Sequence, residues 1–200
     1  MIMPRPVSVY RRFIASTRGV AAIEFAMILP VMLILLLATF DAGSAIAVYM
    51  KVRSATYILA AITNQYSTAT PIQSTDMTAI TGATSAVLAP YSSAPVVVVI
   101  SQVSISAGGK TTATVDWSAT LNGTARAVAS SVSLPAAIAS STNTCGTYPC
   151  YLILGEVSYT YTPVFGYFAK GGIALSDSVY ATPRSSNCIP YVPQTGSTCP

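Results

Sequence analysis

From Val20 to Phe40 the chain reads VAAIEFAMILPVMLILLLATF, twenty-one residues with Glu24 as the one charge. As an α-helix rising ~1.5 Å per residue, such a run covers the ~30 Å hydrocarbon core of a bilayer. Backbone in lipid must satisfy its own N–H and C=O groups, so a lone apolar run of this length is constrained to be a membrane-spanning helix. Arg11, Arg12 and Arg18 stand directly before it. Positive residues stay on the cytoplasmic side, which predicts export of everything beyond the span. A removable secretory signal is the competing reading, but its apolar region is usually ~7 to 15 residues with a small-x-small cleavage site after it. Here the run is longer, and the helical pattern carries on through Asp41 and Gly43.

The formal charge of +4 belongs to the leader. Arg5, Arg11, Arg12 and Arg18 precede Gly19 with no acid among them, whereas six basic and six acidic residues balance from Val20 onward. A neutral exported part has no electrostatic basis for nucleic-acid binding. The absence of histidine removes the commonest general base and metal ligand, so neither a His-based triad nor a cofactor-dependent metal centre is expected. Only 8% of residues are charged against ~25% in ordinary soluble domains. The rest is rich in Ser, Thr, Ala, Val, Tyr and Gly, which favours strands with uncharged polar surfaces.

Cys145, Cys150, Cys188 and Cys199 all lie in the last third. An even count outside the cytoplasm predicts two disulfides. Three pairings are possible, Cys145 with Cys150 and Cys188 with Cys199 being the local ones. Four reduced thiols or a zinc site are the alternatives, and C-x4-C followed by C-x10-C without histidine suits zinc poorly.

Beyond the span, Ile46, Tyr49, Val52, Thr56, Leu59 and Ile62 recur every three to four residues, so the helix is expected to continue as an amphipathic stem. Ala38, Ala42, Gly43 and Ala47 offer small-xxx-small pairs for close helix approach. Thr68 to Pro71 break the pattern, and a second helix over Asp76–Leu88 is expected, capped near Ser74 or Thr75. Val96–Ile105 is β-branched, and Gly108-Gly109 turns into a segment in which Ala113, Val115, Trp117, Ala119 and Leu121 alternate with polar residues. That alternation predicts one apolar and one polar face. Strands from Cys150 and from Gly172 follow, while Leu134 to Thr147 reads as a long loop. Tyr151, Tyr159 and Tyr161 share a strand face and suit core packing. The expected fold class is α+β: a long N-terminal transmembrane helix, then a stem, then an antiparallel sheet with one face covered by the stem. The boundaries are a basic leader over 1–19, the span over 20–43, the stem over 44–66 and an extracytoplasmic β-rich domain over 67–200.

The most informative motif is R-G-V-A-A-I-E-F, Arg18 to Phe25. An acid within a spanning helix costs ~2.5 to 3.5 kcal/mol at its centre, so Glu24 needs a partner or a polar setting. Cleavage between Gly19 and Val20 would create one, the new α-amino group. A short basic leader, then Gly19, then Glu24-Phe25 inside the apolar run resembles a type IV prepilin site, and most of all the TadE-like pseudopilins of tight-adherence (Tad/Flp) pilus systems. The resemblance is specific over RGVAAIEFAMILPVMLILLLATFDAG and looser at VSYTYTPVF and SVYATPR. Val20 stands where many type IV pilins carry Phe.

The resemblance implies a pilin-like fold and cleavage at Gly19–Val20 by a membrane aspartyl prepilin peptidase. It further implies an assembly role for Glu24 and Phe25 with other Flp pilins or pseudopilins and the Tad platform, in pilus assembly, adherence and surface colonisation. The remaining readings are an uncleaved membrane-anchored envelope binding module and an exported Ser/Lys hydrolase using Lys110 or Lys170. Neither lysine lies in a G-x-S-x-G or S-x-x-K pattern.

Overall fold

In the computed structural model, residues 19–92, 94, 96–106, 111–139, 148–166, 171–194 and 199 are described. The leader before Gly19, the Gly108-Gly109 turn, Cys145, Lys110 and Lys170 lie outside them. The order is α1 (Val20–Thr63), α2 (Ser74–Ala86), β1 (Val96–Ile105), β2 (Thr112–Leu121), β3 (Ser131–Ser133), α3 (Ala136–Ala139), β4 (Cys150–Tyr161) and β5 (Ile173–Ala181). Span and stem are one unbroken helix, with Pro30 inside it.

The five strands form one antiparallel sheet in the order β3-β2-β1-β4-β5, one strand more than the sequence pattern predicts. The upper part of α1 lies across β4 and β5, and α2 leans against α1 and touches β1 and β2. Val48, Val52, Ala55 and Leu59 of α1 meet Met77 and Ile80 of α2 over Val98, Ile100, Trp117, Ile153, Val157, Tyr159 and Tyr161. Of the expected stem stripe, Val52, Thr56 and Leu59 are buried, but Ile46 and Tyr49 face outward. The buried threonines spend their hydroxyls inside the helix: Thr56 donates to the Val52 carbonyl at 3.0 Å and Thr63 to that of Leu59 at 2.8 Å. Gly155 of β4 lies under Leu59 of α1: a Cβ there would stand 3.3 Å from Leu59 Cδ2, tighter than ordinary van der Waals contact, so glycine eases the close helix–sheet approach. Tyr159 and Tyr161 are core residues, as their shared strand face predicts, while Tyr151 is half-buried.

A β-bulge corrects the single-face reading of β2. Gln102 pairs with Trp117 and the next residue, Val103, pairs with Val115, so Asp116 is the extra residue. The insertion reverses the alternation. Trp117, Ala119 and Leu121 face the helices, whereas Ala113 and Val115 join Val103, Ile105, Val132, Leu134, Leu152 and Leu154 in a second cluster. Residues 131–139 supply β3 and α3, with Ile138 packed on that second cluster, so the first part of the predicted long loop is structural. The cap of α2 also lies one residue earlier than expected: Gln73 is the N-cap, and its N–H donates to Asp76 Oδ2 at 2.9 Å in a capping box.

The C-terminal segment is clamped to the sheet. Trp117 Nε1 donates to the Ile189 carbonyl at 2.7 Å, and the Ile189 N–H donates to Gln102 Oε1 at 2.7 Å. Ile72 and Tyr191 form a parallel bridge. Cys188 and Cys199 are disulfide-bonded, which selects the local pairing for the last two cysteines. Cys150 is disulfide-bonded as well. Closing the 11-residue separation removes unfolded-chain entropy. Changing both Cys188 and Cys199 to alanine is expected to lower unfolding stability by about 2–3 kcal/mol in denaturant titrations of the detergent-solubilised chain.

Candidate functional site

Gly19 precedes α1 with φ −93° and ψ −11°, an ordinary right-handed conformation. It is exposed, and a Cβ built on it would meet nothing within 4 Å. Nothing in the folded chain therefore requires glycine at this position. Val20, Glu24 and Phe25 follow on the first turns of α1, all exposed. Val20 and Glu24 are one turn apart, ~6 Å along the axis, and so share a helix face. Among the described residues no side chain pairs with Glu24; the one ion pair there is Arg126 with Glu156. The large apolar residues from Val20 through Leu36 and at Phe40 are exposed too, and α1 is the one described helix long and apolar enough to cross a membrane. A folded chain that leaves this much apolar surface open needs lipid or other helices around it.

Residues 19–60 match the family model described as TadE-like protein. The likeness is confined to this helix and the glycine before it. Searches of curated proteins and of solved structures found no match. The TadE-like match covers Gly19, the apolar run and most of the helix beyond it, but not the late strand and Arg-containing segment. The matched residues thus include Gly19, just before α1, and Glu24 and Phe25 within it.

The sheet domain holds polar groups of another kind, which the sequence pattern does not single out. Arg126 clasps Glu156 through two bonds, Nε to Oε2 at 2.9 Å and Nη2 to Oε1 at 2.7 Å. The pair sits in an open groove of about 580 Å3 on the sheet face away from the helices, beside Val97, Val99, Ser158 and Asp177. Its hydrogen bond to Glu156 raises the Arg126 pKa, which keeps the guanidinium charged and gives it no acid–base role. These partners are 30 residues apart, and only strand pairing brings them together.

At the bulge, Asp116 accepts from Ser104 Oγ at 2.7 Å and from Gln102 Nε2 at 3.4 Å. Burial raises its carboxyl above the usual range, against the lowering effect of those two bonds. A folded state that holds the proton more tightly than the unfolded chain loses stability as pH rises from the ordinary value, ~3.9, through the raised one. Asp116→Asn removes this titration while an amide can keep both contacts. Its stability is expected to exceed wild type at neutral pH, with the difference closing as pH falls below ~3.9, in denaturant titrations across pH. Gln102 and Trp117 hold the tail, so Asp116 belongs to this structural clamp. No group of three or more potential metal ligands occurs among the described residues.

Proposed function

We propose that the chain is a non-enzymatic minor pilin or pseudopilin that contributes to Tad/Flp pilus assembly, and through it to adherence and surface colonisation. One observation carries this reading: the TadE-like match includes the unburied apolar run Val20–Phe40, whose one charge, Glu24, has no partner among the described residues. In this reading the chain crosses the bacterial inner membrane once, with its N-terminus in the cytoplasm and its sheet domain outside, because the arginines precede the span. A prepilin peptidase cuts between Gly19 and Val20. Cleavage frees the helix from four arginines that tether it to anionic headgroups, and it exposes an α-amino group.

Glu24 then pairs with that amine on a neighbouring pilin. Within one helix the two groups lie ~6 Å apart along the axis, and a neighbour shifted by one turn brings them level. In a low-dielectric layer an ion pair with one partner removed strands the other charge. The Tad platform and other Flp pilins are the partners this arrangement calls for.

The deciding experiment is N-terminal sequencing of the protein from cells with and without the prepilin peptidase. The expected result is Val20 at the N-terminus in the first and the full leader in the second. An unprocessed chain in both would favour an uncleaved envelope-binding module. Glu24→Gln is expected to insert and be cleaved normally while pilin co-purification and pilus number fall about tenfold or more. Wild-type pilus counts in that variant would remove Glu24 from the mechanism.

A further inference from the structure

The turn between β4 and β5 returns to the membrane end of α1. Pro163 is buried, Gly166 takes a left-handed φ of +57°, and the apolar side chains of Val164 and Phe165 are displayed between them. The Phe165 ring stands edge-on against Phe40, with centroids 5.8 Å apart, and the Phe165 N–H donates to Asp41 Oδ1 at 3.4 Å. Phe40 is the last residue of the apolar run, so these contacts fix the turn at the outer end of the span. The domain overlaps that end: Leu37, Ala38 and Asp41 are already partly covered, while the residues before them are open. Val164 is 72% exposed, more than any other large apolar residue described outside the span.

We propose that Val164 and Phe165 form a second membrane contact, entering the outer lipid–water interface beside the helix. The inference rests on the reading of Val20–Phe40 as a span. Lipid is the occupant because the turn is continuous with a surface that lipid must cover. A helix with ~30 Å of apolar length puts Phe40 at the edge of the hydrocarbon layer, and whatever packs on Phe40 shares that depth. An aromatic ring with an aliphatic neighbour and no acid from Thr162 to Gly166 suits the headgroup boundary. Asp41, the nearest acid on the helix, has its carboxylate turned to the Phe165 N–H. The contact gives the sheet domain two attachments to the bilayer, helix and turn, and so restricts its tilt about the stem.

The test uses the full chain reconstituted in bilayers whose lipids are brominated near the headgroup end of the acyl chains. Buried Trp117 supplies a constant, unquenched emission. Val164→Trp is expected to add emission of which roughly half or more is quenched, as for an interfacial indole. Met50→Trp, about 15 Å farther along the helix than Phe40, is expected to stay unquenched. Leu33→Trp in lipids brominated near the chain ends reports the span itself. Quenching of Leu33→Trp without quenching of Val164→Trp would overturn the membrane contact and leave the span standing. Loss of quenching at Leu33→Trp would overturn both.

Discussion

Gly19→Leu is expected to leave the full-length precursor as the main form in cells that process wild type to completion. The structure makes this substitution a clean probe. Gly19 has a negative φ that any residue adopts, it is exposed, and a side chain there would touch nothing within 4 Å. The folded chain therefore tolerates leucine, and any effect on the N-terminus reports the enzyme that reads the site. A peptidase that must draw the backbone at Gly19 into a narrow cleft loses this approach once a branched side chain intervenes. A penalty of ~4 kcal/mol in the transition state corresponds to a rate about a thousandfold lower. Immunoblots for the size of the chain, with N-terminal sequencing of each band, give the answer. Normal processing of Gly19→Leu would show that the cut lies elsewhere or that no such enzyme acts.

Trp117→Ala is expected to cost the sheet domain most of its stability. The indole is fully buried, packs 5.5 Å from the Tyr191 ring centroid to centroid, and donates to the Ile189 carbonyl. Truncating a large aromatic in a core costs about 3–5 kcal/mol. A stranded carbonyl adds about 1–3 kcal/mol, against a total stability of about 5–15 kcal/mol for a typical domain. Trp117→Phe keeps much of the volume and loses the hydrogen bond, so its expected cost is about 1–3 kcal/mol. Denaturant unfolding followed by far-ultraviolet circular dichroism compares all three without relying on indole emission. A loss under about 1 kcal/mol for Trp117→Ala would mean that the tail is not held by this side chain.

The two substitutions act at opposite ends of what can be read from a linear chain. Gly19, Val20, Glu24 and Phe25 are legible because their setting is local: basic residues, glycine, and one acid within a long apolar run. Lipid recognises composition and length, and a helix satisfies its backbone within itself. For the same reason the TadE-like match lies on α1, where the requirement is written in consecutive residues.

The strands were legible as elements from their β-branched runs, β1 with the bounds Val96–Ile105 that its composition predicts. How they share the two faces of the sheet was not. The alternation around Trp117 is regular, yet the extra residue Asp116 places Ala113 and Val115 on the far side from Trp117, because a bulge is set by the partner strand. β3 escaped notice because three residues carry no usable period, and the pairing of Ala113 with Val132 defines it. The pairings Arg126 with Glu156, Trp117 with Ile189 and Phe165 with Phe40 join positions from 30 to 125 apart. The long apolar helix and the class of fold were thus legible from local periodicity and composition, and the motif proposed as a site on that helix comes from the same local signals. Tertiary pairing decided which residues face each core, where the tail is clamped and which turn meets Phe40 at the end of the apolar run, because those contacts exist only once distant strands have paired.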